Sequence, residues 1–207
     1  GRLLTKAKMH NGKVENVTFN NVPSFVSAKD VKIDTKFGSI TIDVSFGGAF
    51  YASISTSQLG LSPVSKHLNE LIEIGKEIKL KTQNLELAEH PSDKRLSGIY
   101  GSIFYETLEE KPLKQRNVTI FADGQVDRSP CGSGTSARLA LLHEKKQIKI
   151  GEPFLNYGIA GGVFKGKITV VEEDSVVTSI EGSAYYCNKT SFYLDPRDPI
   201  GLGFKLR

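Results

Sequence analysis

Apolar and polar positions alternate over most of this chain, the period of strands rather than helices. Residues 1–9 and 14–19 read as two strands, and His10-Asn11-Gly12-Lys13 between them carries the Asn-Gly signal of a tight hairpin. Residues 22–26 continue extended, because Pro23 disfavours helix in the residue before it. Residues 31–35 and 39–46 alternate again around Phe37-Gly38, a second hairpin. Gly47-Gly48 then interrupts the pattern, which resumes over 49–54; a glycine pair there marks a bulge or a close approach of backbone to another element. The period lengthens over 63–81, where Val64, Leu68, Leu71, Ile72 and Ile78 recur at helical spacing, with Ser62 as cap and Pro63 in the first turn. A turn at 90–93 precedes strands at 98–106 and 118–122, and a second helix is predicted from about 135 to 146. Short strands follow at 154–159, 163–171, 176–181, 183–187 and 190–194; Pro196 and Pro199 end the pattern before a last extended piece, 201–207. No repeat of fixed period is present, and many antiparallel strands with two helices predict an α+β layer fold or a barrel wrapped on a helix.

Composition narrows the function classes. The 207 residues are 39% hydrophobic and 24% charged, enough for a substantial core and too balanced for disorder. No apolar run approaches the ~20 residues that span a bilayer. The net charge of +4 is scattered, and its short basic runs are mixed with Glu or apolar residues, so neither a nucleic-acid groove nor a membrane surface is expected. Two cysteines, Cys131 and Cys187, form no CxxC pair and cannot build a disulfide framework or a zinc site. A reducing compartment, the cytoplasm, is the expectation, and no targeting segment is visible. Sequons at Asn16, Asn117 and Asn188 lie in strand-like contexts and carry little weight.

One segment carries chemistry: Asp127-Arg128-Ser129-Pro130-Cys131-Gly132-Ser133-Gly134-Thr135-Ser136-Ala137. It follows a strand and opens a helix, so the first-turn amides of Gly132, Ser133 and Gly134 have no intrahelical partner and can face an anion. The positive end of the helix should also favour a thiolate, lowering the pKa of Cys131. Asp127 adds an acceptor for an ammonium group. Anion nest, cation acceptor and a base between them describe a receptor for an α-amino acid, with the base near the α-carbon. Other readings of the same residues remain open: a tight turn around a buried core cysteine, a phosphate or structural loop, or a cysteine hydrolase. The last needs a histidine to take the thiol proton; His143 lies about two turns deeper on the helix, and His10, His67 and His90 are unplaced.

The segment resembles the C-terminal active-site motif of the proline racemase family, which includes 4-hydroxyproline 2-epimerases and trans-3-hydroxy-L-proline dehydratases. Asn21-Val22-Pro23-Ser24-Phe25, the run from Asp43 to Tyr51, Phe121-Ala122-Asp123, Gly161-Gly162-Val163-Phe164 and the stretch from Gly182 to Phe204 follow the family's order, so the resemblance covers essentially the whole chain. It implies a diaminopimelate-epimerase-like fold of two similar lobes, each a barrel-like, mostly antiparallel sheet around a central helix. By that resemblance residues 20–181 form the C-terminal catalytic lobe, and residues 1–19 and 182–207 belong to or pack onto an N-terminal lobe. That lobe's Met-Cys-Gly-His type motif, with a second catalytic cysteine, does not occur here; Gly1 resembles the end of the family's Pro-Ala-Gly segment. A homodimer is implied as well, and half a two-base site is expected to be inactive alone.

The implied chemistry is cofactor-free inversion at the α-carbon of proline, with no metal. One thiolate removes the α-proton and an opposing thiol returns one to the other face. Cys131 is one of the pair; the Gly132 and Ser133 amides would hold the substrate carboxylate and Asp127 the ring nitrogen. Phe121, Phe50 and Tyr51 are aromatic candidates for walling the ring, with core packing an equal reading for Phe50 and Tyr51. Dehydratases of the family usually carry Thr in place of Cys131, which favours racemase or epimerase activity. Against this, Gly47-Gly48-Ala49-Phe50-Tyr51 and Ile99-Tyr100-Gly101 are more similar to the dehydratase branch. Proline is the first expected substrate, 4-hydroxyproline the second and dehydration of trans-3-hydroxyproline the third. A fragment that only binds anions or amino acids is the non-enzyme alternative.

Overall fold

A computed structural model of the chain describes residues 3–121 and 123–204; Gly1, Ala122 and the last three residues of the expected 201–207 piece lie outside them. Its eleven strands form one mixed sheet. The strands are β1 (Thr5–His10), β2 (Lys13–Asn20), β3 (Phe25–Thr35), β4 (Gly38–Phe46), β5 (Phe50–Ser55), β6 (Ile99–Glu110), β7 (Leu113–Phe121), β8 (Gln125–Val126), β9 (Phe154–Gly158), β10 (Val163–Val171) and β11 (Val176–Gly182). Their order is β1-β2-β11-β10-β9-β7-β6-β5-β4-β3, with β8 added on β7. Pairings are antiparallel except β5 with β6 and β7 with β9, each joined by a connection that contains a helix: α1 (Leu68–Thr82) and α2 (Gly132–Glu144). That is the connection length parallel neighbours need.

The sheet does not close into the expected barrel. Next to β3, Ser24 meets Val176 of β11 in a single bridge, with two amide–carbonyl bonds of 2.8 Å, and no ladder continues from it. The sheet nevertheless bends far enough for α2 to touch β3, β4 and β5 on one side and β10 and β11 on the other. Residues 134–142 of α2 are all buried, so α2 is a core helix with no solvent stripe. By contrast, α1 is amphipathic and covers the outer face of the sheet, burying Leu71, Ile74 and Ile78 against β3, β6 and β7.

This arrangement divides the sheet by its two-residue period. Ile40, Ile42 and Val44 of β4, Phe50, Ala52 and Ile54 of β5, Phe104 of β6 and Val118 and Ile120 of β7 form one cluster with α1. Their alternates turn to α2: Tyr51 and Ile103 pack with Cys131 and Ala137, and Ser45 donates to the Ala137 carbonyl at 2.9 Å. Leu139 and Leu142 carry the core on to Phe154, Ile168 and Ile180.

Several expected boundaries move. The first helix begins at Leu68, after a short 3-10 turn at Ser65–His67, because Val64 is extended. The second begins earlier than predicted, at Gly132. Strand β7 extends back to Leu113. Residues 183–187 and 190–194 are not strands: no sheet edge pairs with them, and Tyr185, Tyr186, Phe192 and Tyr193 are each at least 84% exposed. Alternation alone does not make a strand without a partner for its backbone. The Ser183 hydroxyl reaches back toward the sheet, donating to the Glu15 carbonyl at 3.0 Å.

Candidate active site

Nested turns build the segment between β8 and α2. The Asp127 amide donates to the Thr119 carbonyl (2.9 Å), folding the chain back along β7. Asp127 Oδ1 accepts the Ser129 amide at 2.8 Å, and Ser129 Oγ accepts the Cys131 amide at 3.0 Å. Each is a short side chain closing a turn two residues on. They deliver Cys131 with φ 64° and ψ 108°, a left-handed backbone that a side-chain-bearing residue rarely adopts.

Buried amides fix that backbone from beneath. The Pro130 carbonyl accepts from Asn117 Nδ2 (3.3 Å), Asn156 Nδ2 (3.4 Å) and Thr135 Oγ1 (3.3 Å). Asn117 Nδ2 also donates to Asn156 Oδ1 at 2.8 Å, and Asn156 Nδ2 to Thr135 Oγ1 at 2.9 Å. The Cys131 carbonyl takes the Thr135 amide at 2.7 Å, the first intrahelical bond of α2. The amides of Gly132 and Ser133 stand ahead of it with no carbonyl a turn earlier to meet.

The sulfur itself is enclosed, with Cys131 only 5% exposed. Sγ lies 3.6 Å from Tyr51 Oη and 3.9 Å from Ser133 Oγ, and those two oxygens are 2.7 Å apart. The Gly134 amide lies close enough to favour a charged sulfur. A Cβ on Gly134 would come within 2.9 Å of Sγ, so only glycine leaves the sulfur its place. The expected lowering of this thiol is not found: burial, reinforced by the nearby Asp127 carboxylate, pushes it up, and Tyr51, Gly134 and Ser133 only partly oppose the shift.

The expected site residues separate into those that gather at the sulfur and those that do not. Tyr51, Gly132 and Ser133 are with it, Asp127 is close enough to act on its charge, and Phe121 packs against the Tyr51–Ile103–Cys131–Ala137 cluster. Phe50, one residue from Tyr51, points through the other face of β5 and lies among Phe25, Phe46 and His90, with no exposure. Tyr100 went unassigned in the sequence reading. Its half-exposed ring sits edge-on to Tyr51 (6.1 Å between centroids) and tilted against Phe121 (5.1 Å). Simple alternation would set it on the face opposite Ile103; a register shift between β5 and β6, where Phe50 pairs with Ile99 but Tyr51 with Gly101, leaves Tyr100 unpaired and beside Tyr51. Asn117 and Asn156 were missed too, since buried amides leave no periodic signal.

The four histidines lie away from the thiol. His67 bonds Ser62, His90 packs 4.8 Å from the Phe46 ring, His143 meets the Ile148 carbonyl at the far end of α2, and His10 sits at the β1–β2 turn. A histidine-activated cysteine hydrolase therefore has no base in this arrangement. Among the described residues no group of three or more His, Cys, Asp or Glu is placed to hold a metal ion. No helix among them is long and apolar enough to cross a membrane.

A family profile described as Proline racemase matches residues 1–205. The chain is 41% identical over 210 residues to a trans-3-hydroxy-L-proline dehydratase of Bacillus cereus, covering 100% of this chain and 63% of that protein. It is 36% identical over 210 residues to a proline racemase of Acetoanaerobium sticklandii, covering 99% of this chain and again 63% of the relative. A crystal structure of a hydroxyproline epimerase from Agrobacterium vitis, with bound trans-4-hydroxy-L-proline, superposes with a TM-score of 0.89 at 33% identity, over 99% of this chain and 60% of that one. The chain thus spans about three fifths of the length of the relatives it matches. The profile match, the identities and the shared fold agree, and the chain belongs to the proline racemase family.

Proposed function

We propose that Cys131 is a proton-transferring base at the α-carbon of proline or a hydroxyproline, working without a cofactor in a racemase or epimerase longer than these residues. The observation that carries this reading is the position of one sulfur beside the free first-turn amides of Gly132 and Ser133. An α-proton is weakly acidic, and its removal needs a base in contact and donors where the carboxylate gathers charge. The helix start supplies the donors, Cys131 the base, and Asp127 an acceptor for the ring nitrogen. Phe121 and Tyr100 offer apolar surface for the ring.

The opposing thiol would stand on a second lobe that closes over this face. The thiolate takes the α-proton from one face and the opposing thiol gives one to the other, so the two sulfurs exchange protonation states in each turnover. The unpaired aromatic residues of 183–204 suit a segment that packs against such a lobe. On this reading the present chain alone does not turn over.

A second reading is dehydration of trans-3-hydroxyproline, favoured by the 41% identity to the Bacillus cereus dehydratase. It needs the same first step, then loss of hydroxide from the β-carbon instead of reprotonation. Incubating the full-length protein in deuterated water with L-proline, trans-4-hydroxy-L-proline and trans-3-hydroxy-L-proline separates them. Deuterium at an inverted α-carbon supports the first reading, and water loss from the third substrate supports the second. A Cys131→Ser variant that keeps most racemase or epimerase activity overturns the first reading, because a serine hydroxyl is too weak an acid to serve as the anionic base near neutral pH. Dehydration kept by that variant supports the second, since a hydroxyl at this position is what the dehydratases usually carry.

A further inference from the structure

We propose that Tyr51 is a positioning residue for Cys131: its hydroxyl is the proton-sensitive partner that holds the sulfur in place and stabilises its anionic form. This deepens the reading above and rests on it only in taking Cys131 as the reacting group.

The geometry is a three-atom ring of Sγ, Tyr51 Oη and Ser133 Oγ. Tyr51 is 1% exposed, so no bulk water competes for its hydroxyl. A phenol has one proton to give and can accept as well. While Cys131 is a thiol, S–H donates to Oη, and the Tyr51 proton goes to Ser133 Oγ at 2.7 Å. Once the thiol has lost its proton, Sγ is an acceptor only. The Tyr51 O–H then turns to the sulfur, and the Ser133 hydroxyl donates to Tyr51 Oη. The ring therefore has a satisfied arrangement in both protonation states, and moving between them takes only hydroxyl rotation.

Tyr51 is held for this task. Its ring is fixed by β5 in the middle of the sheet and by Tyr100 edge-on. The tyrosine's own ionisation is pushed up by burial and by the neighbouring Cys131, so it stays a donor where the thiol titrates. The charged and titratable groups that face the sulfur are few: Asp127 from the loop before α2, which opposes the thiolate, and Tyr51 from β5, with Tyr100 of β6 behind it. Besides Tyr51, the Gly134 amide and the Ser133 hydroxyl favour the anion. In a site where burial works against the charged form, a hydrogen bond to an anion is among the stronger kinds. Its loss should move the thiol by about one pH unit or more, a tenfold loss of thiolate at fixed pH below the midpoint.

The test uses this chain with Cys187→Ser, so that Cys131 is the one thiol. Its iodoacetamide alkylation rate is followed against pH, beside thiolate absorbance and thermal unfolding. Tyr51→Phe should raise the alkylation midpoint by about one pH unit or more. Site-specific 3-fluorotyrosine at position 51, a nearly isosteric and stronger donor, should lower it. The two shifts of opposite sign distinguish hydrogen bonding from packing, which would change unfolding temperature without moving the midpoint. If Tyr51→Phe fails to fold, the fluorotyrosine shift decides alone. A midpoint unmoved by fluorotyrosine, or by Tyr51→Phe in a folded chain, overturns the proposal. Because no turnover is measured, that result would leave the racemase reading standing, and loss of the racemase reading would leave this one standing.

Discussion

Replacing Gly47 by alanine should displace the N-terminal end of α2. Gly47 lies between β4 and β5, where the sheet backbone passes the first turns of the helix. An alanine Cβ there would lie 2.2 Å from the Ser133 carbonyl oxygen, 2.6 Å from the Ala137 nitrogen and 3.2 Å from its Cα. Ordinary contact begins near 3.5 Å, so the gap must open by about 1 Å. All three neighbours are backbone, so no side chain can swing aside. The helix must move, yet it is packed on all sides, and Ser45 and Asn21 tie the same stretch down through the Ala137 and Gly47 carbonyls. Overpacking of this kind costs about 1–3 kcal/mol. At roughly 2–4 °C per kcal/mol for a domain of this size, the unfolding temperature should fall by about 2–12 °C. Gly48→Ala is the control. Its Cβ would find room, 3.7 Å from Ser133 Cβ, but its φ of 108° strains any side chain at about 1–3 kcal/mol. Both variants should lose stability by thermal unfolding, but only Gly47→Ala should also change the alkylation rate of Cys131, since only it moves Ser133. A Gly47→Ala chain with the parent's unfolding temperature and alkylation rate would refute the close approach.

Three further outcomes are expected. Asn156→Ala leaves the Pro130 carbonyl, Thr135 and Asn117 short of partners in a buried site, and urea unfolding should show a loss of about 1–3 kcal/mol. Because burial raises the Cys131 thiol above its ordinary value of 9.0, the unfolded chain loses that proton first; the contribution to stability is intact below about pH 9 and is lost as pH rises through the folded value. The urea midpoint should therefore fall more between pH 8 and 10 in the parent than in Cys131→Ala, and an equal fall would contradict the raised thiol. Pyrrole-2-carboxylate, flat at the α-carbon like the deprotonated substrate, should bind the full-length protein more tightly than this chain by calorimetric titration; equal affinities would mean that the site needs no second lobe.

How far the sequence could be read follows from where its signals are local. The Asn11-Gly12 turn was visible because both residues need positive φ, and both have it, at 48° and 74°. The Gly47-Gly48 pair announced a bulge or a close approach, and Gly47 makes the approach. The cysteine loop was visible as the start of a helix, since Gly-Ser-Gly follows Cys131 and α2 begins at Gly132, while the residues by themselves left a structural turn and a reactive thiol both open. Long-range facts were not legible. The first half of β7 was missed because its inward residues, Gln115 and Asn117, are polar and reverse the usual alternation. What they face is equally polar: Gln115 Oε1 accepts from the buried Arg138 guanidinium at 3.2 Å, and Asn117 reaches Asn156. The start of α2 was placed three residues late because Gly132, Ser133 and Gly134 carry no apolar period; they are small so that the sheet can come close. Strands were expected at 183–187 and 190–194 because alternation says which faces differ and nothing about whether a partner strand exists.

The polar inner face of β7 and the chemistry at Cys131 are one problem solved once. A left-handed backbone at a residue with a side chain costs on the order of 1–3 kcal/mol and persists only where its surroundings determine it. Here the determinants come from three elements: Asn117 on β7, Asn156 on β9 and Thr135 on α2, all converging on the Pro130 carbonyl. Strands β7 and β9 are parallel neighbours whose connection contains the cysteine loop and α2 themselves. Pairing those two strands therefore brings the two amides together, and the amides fix the peptide that aims the sulfur. Amide side chains suit this place better than charged ones. They donate to the Pro130 carbonyl, and Asn117 to Asn156, without adding net charge near the thiol, leaving Tyr51, Ser133 and the Gly134 amide to favour its anion against burial and Asp127.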